Sequence, residues 1–392
     1  MKYRDFGKTG CKVSALGYGA MRMPTVEVDG KKVIDEERAI ALIRNAIDNG
    51  VNYVDTAYFY HDGESERLVG KALKDGYREK TYLATKLPMG HVKAPEDFER
   101  LLNEQLEKLD VDYVDFYLFH ALNRDSWKKV VDFGLIEKMK QAKAEGKIRH
   151  MGFSFHDDLE VFCEIMEGYK DCEFCQIQFN YLDTDYQAGI EGLRLAAEKG
   201  MGLIIMEPLL GGGLVTPHET VRECLPEGMG TVEAALAYIW NFPEVSLLLS
   251  GMGTEEQLAE NMALADKYDA GSLTNEQENC FANAKKAHGK LGLIPCTGCN
   301  YCSVCPEEIA IPEIFSAFNL GADADRRRVK EEMPDIEERV RKCADCGAGC
   351  TVHIGTQNQP GSFTGQDRLA HINLCRDNLA VLYVYPYLFD AA

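Results

Sequence analysis

The chain has 392 residues, 45% hydrophobic and 27% charged, a globular composition long enough for one large domain and a smaller one. A formal net charge of -20 argues against duplex nucleic acid as a partner, since phosphate binding needs the opposite sign. The polar opening MKYRDFGKTG does not fit a signal peptide, and no apolar run approaches the ~20 residues of a membrane helix; a cytoplasmic protein is expected, in which fourteen cysteines are not a disulfide framework.

In chain order, short apolar or β-branched runs alternate with stretches of helical period. The strand-like runs are VSALGYGA (13–20), VNYVDTA (51–57), TYLATKL (81–87), VDFYLFH (114–120), IRHMGFSF (148–155), FCQIQFNY (174–181), GLIIMEPL (202–209) and VSLLLSGM (245–252). Between the first two, DEERAIALIRNAIDNG puts Ala39, Ile40, Ile43 and Ile47 on one helical face and ends at Gly50. Eight strand–helix units in about 260 residues predict a (β/α)8 barrel; a doubly wound sheet shares the alternation, and the count of eight decides between them. No dinucleotide fingerprint is complete: Gly17-Tyr18-Gly19 is followed by Arg22 where the last glycine belongs, and Gly211-Gly212-Gly213 lacks the lysine of a phosphate loop.

In such a barrel, side chains at the C-terminal strand ends converge on the active face. Asp55 ends the second strand, with Tyr60 in the loop beyond it; Lys86 ends the third strand and His120 the fourth. A free tyrosine, with a pKa near ~10, exchanges its proton poorly at neutral pH. The Lys86 ammonium would favour its phenolate, Asp55 would orient the lysine, and His120 would donate a hydrogen bond to a carbonyl oxygen. Hydride transfer to a carbonyl is the reaction this set suits. Singly, each residue also has a structural reading as ion pair, loop aromatic or satisfied histidine; it is their coincidence that carries the chemistry.

VDTAYFYHDGESERLVGKAL, LATKL and DFYLFH resemble the segments of the aldo-keto reductases that carry the catalytic aspartate, tyrosine, lysine and histidine. The resemblance spans roughly residues 1 to 270 and implies NADH or NADPH bound in extended form and a small carbonyl or alcohol substrate. It nominates Ser154 and Gln176 for the nicotinamide carboxamide, Glu207, Gly211 and Gly212 for the loop over the pyrophosphate, and Glu260 and Asn261 for adenine, with Gly19 and Met21 also on the cofactor path. Phe155 stands where the family usually has an asparagine. Gly251 and Gln257 stand where NADPH-specific members often place a lysine and an arginine, so strong NADPH specificity is not expected. Met21, Arg22, Met23, Tyr58, Phe59 and Trp127 either line the substrate pocket or pack the loops over the barrel mouth.

The barrel is expected over 1–272, a connecting helix over 273–294, and a cysteine-rich domain over 295–392 that becomes irregular after about residue 350. Read as crossing much of the barrel height, the helix would bring that domain near the nicotinamide. Cys296, Cys299, Cys302 and Cys305, followed by Pro306, come close to a ferredoxin run and favour an iron–sulfur cluster over zinc. Cys343, Cys346 and Cys350 begin a second run that lacks its fourth member, leaving Cys375 as a candidate. One [4Fe–4S] cluster is expected and a second remains open. The run also resembles the ferredoxin-like tail fused to a subgroup of aldo-keto reductases. Such a tail either meets an electron-transfer partner or clasps the structure. Two rival readings are a ferredoxin-linked enzyme fed through the tail and a non-catalytic redox sensor.

Overall fold

A computed structural model describes residues 1–291, and the cysteine runs from Cys296 onward lie outside the described residues. The chain divides into one unit of residues 1–209 and 226–278, and a second of 210–225 and 279–392.

The first unit is a closed parallel barrel. Its strands are β1 (Leu16–Gly19), β2 (Tyr53–Asp55), β3 (Tyr82–Leu87), β4 (Val114–Leu122), β5 (Ile148–Phe155), β6 (Phe174–Gln178), β7 (Gly202–Met206) and β8 (Leu247–Ser250). Each pairs with its neighbours in sequence, and β8 closes on β1. All eight expected strands are present, and the count of eight, not the alternation, separated this closed barrel from an open sheet. Most strand residues are buried on both faces, as parallel strands between core and helices require.

The first long helix runs Glu36–Asp48. It starts where Asp35 accepts a hydrogen bond from Arg38 N and ends before Gly50, at φ +96°. Ala39, Leu42, Ile43, Ala46 and Ile47 are buried, while Ile40 lies at the edge of that face.

At the N-terminal strand ends, the chain's first hairpin (Tyr3–Asp5 with Lys12–Ser14) inserts Phe6. Its ring lies 4.8 Å from Phe116, 5.4 Å from Phe174 and 6.1 Å from Tyr53, filling that end with aromatic contacts. Gly7 must be glycine: its φ is +53°, and a Cβ would fall 2.3 Å from Gly202 N. A second hairpin, Thr25–Val28 with Lys31–Ile34, turns at Asp29-Gly30, both at positive φ, a pairing the sequence reading did not anticipate.

In the second unit the described residues form a tight turn, Leu210–Gly212, and a short helix, Glu219–Arg222. The connecting helix expected over 273–294 runs Asn275–Gly289. Among the described residues no helix is long and apolar enough to cross a membrane.

Candidate active site

Asp55, the last residue of β2, and Lys86, the fifth of the six residues of β3, are 2% and 1% exposed and form an ion pair of 2.6 Å. Lys86 Nζ also donates to the Thr56 carbonyl at 2.9 Å and to the Tyr60 hydroxyl at 3.5 Å. Three acceptors therefore meet the three donors of the ammonium. Burial pulls Lys86 below the ordinary lysine range, against Asp55, which holds it up.

Tyr60 opens a tight turn, Tyr60–Gly63, in which His61, Asp62 and Gly63 all have positive φ. Non-glycine residues pay of order 1–3 kcal/mol for such backbone. The turn is pinned from outside, because His61 Nε2 accepts a hydrogen bond from Met23 N at 3.2 Å. Burial lowers His61 toward the neutral form that can accept, with Asp62 opposing.

His120 lies near the end of β4, its ring edge-on to Tyr60 with centroids 6.2 Å apart. The β4–β5 register breaks just there, between Phe119 and Leu122, and Ala121 sits at φ +54° with its N–H donated to Ser154 Oγ at 2.8 Å. A bulge of this kind turns a strand-end side chain, here His120, out of the regular alternation. Burial first, then Lys86 and His156, pushes His120 well below its ordinary pKa. The imidazole is thus neutral at neutral pH.

Ser154 and Gln176 face each other across the β5–β6 register. Gln176 is buried; its Nε2 lies 3.6 Å from Met206 Sδ, and its Oε1 has no hydrogen-bond partner among the described residues. Asp55 Oδ2 is likewise buried without a partner there. Such acceptors cost about 1–3 kcal/mol each when left unmade, so this end of the barrel suits a ligand carrying N–H and O–H donors.

Gly19 ends β1 in register with Asp55, Met21 is half-buried beyond it, and Glu207 follows β7 at φ +56°. Gly251 is exposed, and a Cβ there would lie 2.9 Å from Arg22 Cβ, so the arginine's stem lies over it. Gln257 Oε1 accepts from Gly253 N, closing the 253–257 turn. Glu260 is exposed, whereas Asn261 is buried with its amide on Ser250 Oγ at 3.0 Å. Gly211 and Gly212 belong to the second unit. Trp127, in the helix Arg124–Asp132, packs against Gly168 at the end of the helix Leu159–Gly168, a helix–helix contact, while Phe59 is exposed.

Sequence reasoning missed the support behind Lys86. Gln105 donates to the Lys86 carbonyl at 3.0 Å and to Glu66 at 2.6 Å, and accepts from Tyr117 at 2.7 Å; Thr85 also donates to Glu66. The signal was present, since Gln105 interrupts the apolar face made by Phe98, Leu101, Leu102, Leu106 and Leu109. Among the described residues no group of three or more His, Cys, Asp or Glu side chains is placed to hold a metal ion.

A sequence model described as the Aldo/keto reductase family matches residues 15–275. The chain belongs to this family. It is 30% identical over 305 residues to an L-galactose dehydrogenase of Arabidopsis thaliana, covering 71% of this chain and 92% of that protein. An aldo-keto reductase of Bacillus halodurans in its holo form superposes with a TM-score of 0.62 at 27% identity, over 73% of this chain and 97% of that one. An aldo-keto reductase of Klebsiella pneumoniae in complex with NADPH gives 0.57 at 25% identity, over 71% and 93%. The aldo/keto reductase described here is accordingly an NAD(P)(H)-dependent oxidoreductase.

The buried ion pair of this aldo/keto reductase has a measurable consequence. Lys86→Met should destabilise the fold by about 3–5 kcal/mol, because Asp55 stays buried without its partner. Adding Asp55→Leu should restore most of that stability while turnover stays lost. Denaturant unfolding of the three proteins checks this, and a single-variant cost under about 1 kcal/mol would contradict the pairing.

Proposed function

We propose that the enzyme interconverts a small carbonyl and its alcohol, with Tyr60 as the acid/base. The observation that carries this is Lys86 Nζ standing 2.6 Å from Asp55 and 3.5 Å from the Tyr60 hydroxyl inside a buried strand-end cluster. A nicotinamide, when bound, supplies the hydride. Gln176 and Ser154 hold the carboxamide, and the unpartnered Asp55 Oδ2 is available to a sugar hydroxyl; the orphaned oxygens support this fit. The ammonium of Lys86 favours the phenolate of Tyr60, so the phenol gives up its proton to an alkoxide more readily than a free tyrosine would. Neutral His120 cannot compete as the acid; its N–H donates a hydrogen bond to the same oxygen and orients the carbonyl. Exposed Phe59 and half-buried Met21 offer the apolar wall of a small-substrate pocket.

Without cations at Gly251 and Gln257, a 2′-phosphate gains little, so NADH and NADPH should bind comparably. Tyr60→Phe should reduce turnover on a carbonyl panel by at least about 100-fold while fluorescence titration gives wild-type affinity for both nicotinamides, within about tenfold of each other. Near-normal turnover would reject Tyr60 as the acid.

The thiolate set of residues 296–350 supports a second element of the proposal, an iron–sulfur tail serving electron transfer or structural support. Residues 273–294 would be its connector and 295–392 its domain. Protein purified without oxygen should contain about four iron and four acid-labile sulfide per chain, as one [4Fe–4S] cluster requires; about eight of each would mean that Cys375 or another ligand completes a second. Negligible iron with stoichiometric zinc would reject the cluster.

A further inference from the structure

The described residues hold six free cysteines, and the surroundings of Cys11 differ from those of its neighbours. Cys172 and Cys224 direct their sulfurs at backbone carbonyls, and Cys175 is wholly buried, which pushes its thiol far up. Cys11 Sγ instead lies 3.5 Å from His150 Nε2, while His150 Nδ1 lies 2.8 Å from Glu173 Oε1. Glu173 is fixed in turn: its other oxygen accepts from Lys143 Nζ at 2.6 Å and Met151 N at 3.1 Å. The His150 ring stacks on Phe116, 5.1 Å between centroids, which sets its plane. A nucleophile, a base and a carboxylate that orients the base thus follow one another in hydrogen-bonding order.

The elements holding them are rigid. Cys11 leaves the tight turn after Phe6, where Thr9 Oγ1 accepts from Cys11 N and Cys11 O accepts from Phe6 N. His150 is the third residue of β5, and Glu173 immediately precedes β6, so the cluster sits at the N-terminal strand ends, away from the strand ends that carry Tyr60. Cys11 is only partly buried, with its side chain packed against the edge of the Phe6 cluster.

We propose that Cys11 is a nucleophilic thiol, activated by His150 and Glu173, that undergoes exchange with small-molecule disulfides. The Cys11 proton passes to His150 Nε2, and the thiolate attacks one sulfur of the disulfide. That S–S bond breaks, a new one forms to Cys11, and the departing thiolate takes up the proton. Cys11 and one half of the reagent end as a mixed disulfide; the other half leaves as a reduced thiol. The charged and titratable groups around the sulfur are consistent with this. Behind His150 stand Glu173 and Lys143. Tyr82 hydrogen-bonds Cys11 from β3, and its neighbour Asp115 is paired with Arg78 and Arg149; on Cys11's own hairpin, Lys12 is paired with Asp5. Glu173 stays below the usual carboxylate range, since hydrogen bonds from His150 and Lys143 outweigh its burial.

The test uses the reduced full-length protein, glutathione disulfide as probe, and peptide mass mapping that reads Cys11 against exposed Cys163. At neutral pH Cys11 should react at least about tenfold faster than Cys163, because His150 Nε2, 3.5 Å from its sulfur, is placed to take the proton as the thiol attacks. His150→Phe, which retains a ring against Phe116, and Glu173→Gln should each remove that advantage while leaving Cys163 unchanged. A wild-type Cys11 no faster than Cys163 at that pH would overturn the proposal whether or not the variants fold. A fast Cys11 that His150→Phe leaves fast would overturn the assigned activation.

Discussion

The site depends on a lysine ammonium buried where water cannot reach it. Moving such an ion out of water costs several kcal/mol, and it stays charged only if carboxylate and carbonyl oxygens replace the water. Asp55, Thr56 and Tyr60 are those partners, supplied by the end of β2 and the segment after it. The bond to Tyr60, at 3.5 Å, is the longest of the three, and this phenol is the member proposed to exchange a proton. Glu66 and Gln105 then fix the Lys86 backbone from behind, so that the position of Nζ is set by β3 and not by a mobile side chain alone.

Around that ion the backbone departs from its preferred regions at two places. Ala121 takes a left-handed conformation at the β4 bulge, and His61 and Asp62 do so after Tyr60. Both deviations flank a proposed catalytic side chain, and each is held by a specific bond, Ala121 N to Ser154 Oγ and Met23 N to His61 Nε2. Between these two strained segments the His120 and Tyr60 rings meet edge-on, 6.2 Å between centroids, and the barrel's aromatic-filled far end contributes stability against the strain.

Much of this was legible in the residues. Buried parallel strands read as short apolar runs, and polar side chains at their ends stand out because a core has no use for an unpaired Lys86 or Asp55. The resemblance of the segments around Asp55, Tyr60, Lys86 and His120 then implied a nicotinamide cofactor and a role for each of the four. What escaped was polar residues whose partners come from distant elements. Glu66 and Gln105 look like flaws in amphipathic helices until Thr85 and Tyr117 are brought beside them. His61 gives no hint of pinning Met23, and Asn261, nominated for adenine, has its amide on Ser250. Cys11 stands 139 residues before His150, which stands 23 before Glu173, so no spacing rule could join the three.

The central claim is that this barrel delivers a nicotinamide hydride to a carbonyl carbon under the control of Tyr60. The most direct measurement follows deuterium from nicotinamide labelled at its C4 position into the product of a reactive carbonyl, using the purified full-length protein. The account predicts label at the carbinol carbon of the product, formed at least about 100-fold more slowly when Tyr60→Phe replaces the wild type. Nicotinamide oxidation that leaves the product carbon unlabelled, its electrons having gone elsewhere, would contradict it.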